Sequence, residues 1–195
     1  MSYKIKARNK GLNLLFVDPG IVYTGYAIWN HKYGTGFLRD IIDVGALESC
    51  ITHDSILLRA RSMAEQTIGI CRQYSVDAVW VEQPPQTIYN QHMPKNALIA
   101  RAQSVFKTFA VTYNIFGMLC AEKIKHYDIL PKQWQGKKAK GETVKEKSIR
   151  LANDHLEIFS KFRYRLKTKR DENTADAINI GHHVLDQLEL ETYGI

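Results

Sequence analysis

The sequence predicts a single α/β domain built on a mixed sheet, a three-strand antiparallel meander plus parallel strands, flanked by helices. Two patterns predict it. Three early segments rich in aromatic and branched residues are separated by glycine-containing turns, and from about residue 54 helical and strand-like spacings alternate. At 195 residues and 45% hydrophobic composition, the chain suffices for one domain with a full core. Residues 1–195 are therefore read as one unit, opened by a short basic arm over residues 1–10.

Each element follows from its local pattern. Asn13–Asp18, Thr24–Trp29 and Phe37–Leu47 read as strands, punctuated by "DPG" and "KYGTG". Asp54–Tyr74 places Leu57, Ala60, Ala64, Ile68 and Cys71 at helical spacing. Val76–Glu82 reads as a fourth strand that ends at "EQPP", where prolines forbid continued pairing. Ala97–Tyr113 reads as a second helix, and Lys123–Leu130 as a short strand stopped by Pro131. Helices are expected over Thr143–Leu156 and from Glu172 to Leu188. There is no internal repeat or low-complexity tract.

Charge is unevenly spread. The net charge is +7, yet Lys132 to Arg170 holds thirteen Lys and Arg against four Asp and Glu, leaving about −2 for the remainder. A local basic block points to a polyanionic partner, nucleic acid before membrane, because it carries no long apolar face. The alternative is a solvated lysine-rich surface. Cys50, Cys71 and Cys120 are odd in number and widely spaced, which argues against a disulfide framework or a zinc site and fits a reducing compartment. All three are expected to be small core residues. No stretch reads as a membrane span, and the start "MSYKIKARNK" has no apolar run of the signal-peptide kind. A cytoplasmic location is the expectation, the host cytoplasm if the chain is phage-encoded.

Three carboxylates stand where a bare charge is costly. Asp18 closes the first strand and Glu82 the fourth, each after a near-continuous apolar run, at the sheet edge where α/β proteins place ligands. In "RDENTADAINIGHHV", Glu172 and Asp176 are four apart and share a helix face. Acids in the first helical turn complement the helix dipole, an excuse open to Asp171 and Glu172 but less so to Asp176. Repelling carboxylates on one site are tolerable with a cation between them, and hard ions such as Mg²⁺ and Mn²⁺ take oxygen ligands. Two such ions, roughly 3.5–4 Å apart, would suit phosphodiester hydrolysis. The bland reading, strand-end and helix-cap acids, is common for each residue alone and much weaker for the three together.

These motifs, in order, resemble the RuvC-type Holliday junction resolvases of the ribonuclease H-like superfamily, and a phage-type member in particular. "FVDPGIVYTGYAI" is similar to the family's opening strand with D-P-G and T-G-[YW]. "AVWVEQ" is similar to its second acidic strand, and "ENTADAINI" to its last helix. "DILPKQWQGKKAKGETVKEK" resembles its intervening Pro-x-x-Trp-Gln segment and Lys-rich loop. The likeness runs from about residue 12 to 188. It implies a ribonuclease H-like fold and two Mg²⁺ ions per site, replaceable by Mn²⁺, held by Asp18, Glu82 and Asp176. For the fourth ligand many members carry an acid or His three residues before the final Asp, where this chain has Asn173. Glu172 is the first choice, then Asn173 through its carbonyl, then Asp171. Lys145 resembles a lysine near the scissile phosphate, with Lys147 close behind. The implied activity is paired nicking of Holliday junctions and other branched DNA, leaving 5′-phosphates, by a homodimer with no membrane role.

Other features are weighed individually. "KFRYRLKTKR" alternates at period two, so a strand or extended arm would put Lys161, Arg163, Arg165, Lys167 and Lys169 on one face. With Lys137, Lys138, Lys140, Lys145 and Lys147 they are the candidate DNA contacts, against a solvated-surface reading. His183 is seven residues beyond Asp176 on the same helix face and reads as a satisfied core histidine or one that supports the metal ligands from behind. Trp134 reads as a packing anchor for the basic loop. "MPKNALIARAQSVFKTFAVTYNIFGMLC" matches the region where the family forms its two-fold dimer, or is simply a core helix. The rival functions are a less selective flap, branched-DNA or RNA-strand nuclease, and a non-catalytic branched-DNA scaffold.

Overall fold

A computed structural model describes residues 11–32, 38–49, 55–84, 94–135, 141–161, 165–167 and 171–193. At the middle of its sheet lies β1 (Leu12–Asp18). It pairs antiparallel with β2 (Tyr23–Lys32) and parallel with β4 (Ala78–Glu82). β3 (Leu38–Glu48) and β5 (His126–Ile129) complete the order β3-β2-β1-β4-β5. The helices are α1 (Ile56–Gln73), α2 (Lys95–Ala121), α3 (Pro131–Trp134), α4 (Val144–Phe159) and α5 (Glu172–Tyr193). The expected meander, parallel strands and flanking helices are all present.

The continuous apolar runs of β1 and β4 have a simple cause: both sheet faces are covered. Leu14, Phe16, Ala78 and Trp80 pack with Ala152 and Leu156 of α4 and Ala177 and Ile178 of α5. Leu15, Val17, Val79 and Val81 pack on the opposite face with Met63 and Ile68 of α1 and Val111 and Ile115 of α2. Trp80 lies between the rings of Phe16 and Tyr127, at centroid distances of 5.3 and 4.8 Å. Truncating such a buried indole costs about 3–5 kcal/mol.

Strands β4 and β5 begin two and three residues later than their apolar patterns suggest, for one reason. The preceding helices close through a left-handed residue, Ser75 (φ 49°) after α1 and Lys123 (φ 57°) after α2. The amides of Val76 and Ile124 then donate back to the carbonyls of Cys71 and Leu119. This is the Schellman closure, usually marked by glycine. Val76 and Ile124 are thereby used as helix closures.

Helix α2 runs eight residues beyond the expected Tyr113. Asn114 donates to the carbonyl of Ala110 at 2.8 Å, which keeps its amide inside the helical path, and Gly117 is carried within the helix. The full helix corrects the membrane reading in one respect: by length and composition alone it could cross a membrane. Only 28% of its most apolar window is buried within the chain, so most of that surface is uncovered. Cys120 is another correction. It is exposed, its sulfur 3.5 Å from Nε2 of His126, because it lies on the outward side of α2. Cys71 is buried as expected, and burial pushes its thiol up to about 12. Cys50 lies outside the described residues.

Of "KFRYRLKTKR", the described part is not a sheet strand. Leu166 is buried between exposed Arg165 and Lys167, which keeps the alternation. Its backbone, however, is held by one side chain: Asn153 accepts from its amide at 2.9 Å and donates to its carbonyl at 3.1 Å.

Candidate active site

Strand alternation aims the two strand-end acids. Asp18 follows Leu14 and Phe16 at period two, and Glu82 follows Ala78 and Trp80, so both face the layer of α4 and α5. Val17 is the register partner of Val81, and one step further brings Asp18 beside Glu82. Helix α5 then reaches them because β2 carries a glycine. A Cβ at Gly25 would stand 2.0 Å from the carbonyl carbon of Asn173 and 2.4 Å from the amide of Thr174. Any side chain there would lift the first turn of α5 off the sheet. The glycine of the T-G-Y motif is thus a spacer that seats Glu172 and Asp176 over the strand ends.

The resulting cluster is electrostatically strained. Asp18 is 8% exposed, and its carboxyl is raised well above the usual range by burial first, then by the charges of Glu82 and Asp176. Glu82 is raised by burial, against hydrogen bonds from Asp18 and Trp134 that lower it. Asp176 is pushed up to about 7. Burial is the main cause, opposed by a hydrogen bond from Ser148 and reinforced by Glu82 and Glu172. Asp18 and Glu82 stand close enough to raise Asp18 through the charge of Glu82, a repulsion that a shared proton or a bound cation would relieve. Among the described residues, no three acidic, histidine or cysteine side chains are drawn together at ligand spacing. Asp18, Glu82 and Glu172, with Asn173, line a cleft of about 860 Å³, and the charges of Glu82 and Glu172 act on Asp176 beside it. A divalent cation fits this donor set. It is all oxygen and anionic, and its burial penalty is what a cation would relieve.

Neighbouring side chains hold the acids in place. The indole N–H of Trp134 donates to Oε1 of Glu82 at 2.8 Å. The hydroxyl of Ser148 donates to Oδ1 of Asp176, and Asn179 donates in turn to the Ser148 carbonyl and hydroxyl oxygens, both at 2.9 Å. Lys145, on the first turn of α4, pairs with Glu172 at 2.5 Å. That turn is fixed by a capping box in which Thr143 and Glu146 satisfy each other's backbone amides.

The alternatives left open by spacing separate here. Lys147 donates to the carbonyl of Gln135 at 2.7 Å, whereas Lys145 reaches the acidic cluster. Asp171 accepts from the amide of Lys167, outside the cleft lining. Asn173 donates to the carbonyl of Tyr23 at 2.8 Å and so ties α5 to the start of β2. Lys161, Arg165 and Lys167 are exposed, while Lys137, Lys138, Lys140 and Arg163 lie outside the described residues.

Sequence reasoning did not find Ser148 or the cleft wall formed by α2, and it gave Trp134 a packing role only. A serine within an amphipathic helix carries no periodic signal. Trp134 does follow Pro131 in a short helix unrecognised in the sequence, and it packs against the α4–α5 layer as well as donating to Glu82. His183 is half-buried, and burial lowers its pKa. The neighbouring His182 instead stacks on His155 at 3.9 Å and pairs with Asp186 at 3.1 Å.

Comparison with solved structures identifies the architecture. Thermus thermophilus RuvC superposes with a TM-score of 0.63 at 15% identity, over 93% of this chain and 98% of that one. The fold is that of the RuvC-type resolvases. T. thermophilus RuvC in complex with a Holliday junction substrate matches at a TM-score of 0.59 and 11% identity, over 88% of this chain and 92% of that one. Fowlpox virus resolvase in complex with Holliday junction DNA matches at 0.50 and 16%, over 88% and 99%. No protein-family model and no curated protein sequence matches the chain. In the RuvC-type fold of this chain, β1, β4 and α5 are the elements that carry the acids.

Proposed function

We propose that the protein is a divalent-metal-dependent, structure-selective endodeoxyribonuclease that resolves Holliday junctions and other branched DNA by paired nicks. The observation that carries this reading is a cleft of a RuvC-type fold lined by Asp18, Glu82 and Glu172, with Asp176 coupled to them by charge and Lys145 paired with Glu172. Asp18, Glu82, Glu172 and Asp176 would hold two Mg²⁺ ions, with Mn²⁺ able to substitute. Such ions supply an activated water and charge stabilisation for the leaving oxygen. The protein's own groups do the rest. Trp134 and Ser148 orient Glu82 and Asp176, in the way outer partners orient metal ligands generally. Lys145 offers a cation to the phosphate, and the exposed Lys161, Arg165 and Lys167 grip the flanking backbone together with the Lys-rich segment around Lys137, Lys138 and Lys140.

A homodimer suits this reading. The outward side of α2 exposes Ile99, Phe106 and Tyr113 at intervals of seven, 48%, 64% and 60% exposed, a stripe wide enough to seek a partner helix. A second copy of α2 would cover it and give the two active sites that paired nicking requires. Purified protein with Mn²⁺, offered a four-way junction, a flap, an RNA–DNA hybrid and a linear duplex, tests the proposal. Symmetric nicks in the junction and little cutting of linear duplex support it. Preferential cutting of the hybrid or flap moves the substrate to those classes, and binding without cutting leaves the scaffold reading.

A further inference from the structure

The cleft has a second wall, opposite the α4–α5 side, made by α2. Ser104, Lys107 and Thr108 line it at spacings of three and four residues, which is one helix face. Lys107 is half-buried and makes no hydrogen bond or ion pair with the described residues. Lys145, by contrast, is engaged by Glu172. The Thr108 hydroxyl is turned back on the helix, donating to the carbonyl of Ser104 at 3.2 Å. The Ser104 hydroxyl has no such engagement among the described residues, and Ser104 is exposed in the cleft lining.

Lys107 has no anion to pair with among the described residues, so on a wall lining the cleft its charge is available to a phosphate of a bound strand. Three acids of the cleft also present a problem for a DNA strand, since its phosphates must approach carboxylates. A cation on each wall offsets that repulsion. The cleft, at about 860 Å³, exceeds the needs of two ions and has room for a nucleotide unit.

We infer that Lys107 and the Ser104 hydroxyl form a phosphate-binding subsite on the α2 wall, taking a backbone phosphate of the strand next to the one held over the carboxylates. This rests on the branched-DNA nuclease reading. It gives Lys107 a positioning role separate from that of Lys145.

The test is binding of a labelled four-way junction in EDTA across a salt series, so that no metal or cleavage enters the readout. Lys107→Ala should weaken affinity several-fold and reduce the slope of log affinity against log salt by about 0.9, the value for one released counterion. Lys107→Arg should restore the slope, and Ser104→Ala should weaken binding less and leave the slope intact. Arg61→Ala serves as the charge-matched control, because Arg61 is 70% exposed on α1 and paired with Glu65. The melting temperature of Lys107→Ala should equal that of the wild type. A wild-type slope in Lys107→Ala, or an equal loss in Arg61→Ala, overturns the subsite while the nuclease reading stands. Wild-type protein with no affinity for branched DNA overturns both.

Discussion

Trp134 and Glu82 are joined by a 2.8 Å hydrogen bond from indole N–H to carboxylate, which ties a one-turn helix to the end of a central strand. The bond orients one oxygen of Glu82 and lowers its basicity against the burial that raises it. Trp134 is therefore a positioning residue for the carboxylate. Trp134→Phe keeps an aromatic against the core and deletes the donor. Loss of an outer partner of this kind typically costs 10–100-fold in metal affinity or activity. The expected result is a cleavage rate reduced by about that range, a higher Mg²⁺ requirement and unchanged junction binding in EDTA. A purely structural role would lower the melting temperature and leave the Mg²⁺ titration where it was.

The fourth ligand divides Glu172 from Asn173. Asn173 spends its amide N–H on the Tyr23 carbonyl, whereas Glu172 faces Lys145 and raises Asp176 by its charge. Mg²⁺ needs charge neutralised as well as oxygen supplied, and an amide gives only the second. Glu172→Gln should therefore cost activity heavily in Mg²⁺ and less in Mn²⁺. Asn173→Ala should lower thermal stability by roughly 1 kcal/mol, the worth of a typical hydrogen bond, with a mild effect on rate. The reverse ordering, crippling for Asn173→Ala and mild for Glu172→Gln, would assign the site to Asn173.

Stability should depend on pH in an unusual direction when no metal is present. The Asp176 carboxyl is raised from 3.8 to about 7, so the folded chain holds a proton that the unfolded chain has released. Between about pH 4 and pH 7 the folded state binds more protons, and this group's contribution to stability falls as pH rises. Divalent ions compete with that proton. The gain in melting temperature on adding Mn²⁺ should be larger at pH 8 than at pH 5, and Asp176→Asn should shrink both the pH dependence and the Mn²⁺ gain. A Mn²⁺ gain equal at the two pH values would mean that the ion binds elsewhere.

Much of this was legible in the chain. Strands ending at Asp18 and Glu82 and a helix opening at Glu172 follow from apolar runs, the DPG and EQPP breaks, and acid spacing, and the structure has them. Element boundaries were less legible where a non-glycine residue takes the left-handed closing position, as Ser75 and Lys123 do. The reach of α2 past Tyr113 was hidden because Asn114 and Gly117 look like helix breakers in one dimension. The supporting contacts of Ser148 and Trp134, and the place of Lys107 on the cleft wall, bring together residues far apart in sequence, so no local spacing could announce them. Gly25 lies between: its motif was visible, but its purpose, the close approach of α5, required the fold.

The central claim is that the acids hold catalytic metal, and Asp18 tests it most directly. It lies at the centre of the cluster, where burial and the charges of Glu82 and Asp176 act together. The measurement is strand-by-strand cleavage of an end-labelled four-way junction in Mn²⁺ by wild type and Asp18→Asn, with junction affinity measured in parallel in EDTA. The account predicts symmetric nicks from the wild type and none from Asp18→Asn, whose affinity is equal or tighter because one repelling charge is gone. Cleavage by Asp18→Asn at near the wild-type rate would contradict it.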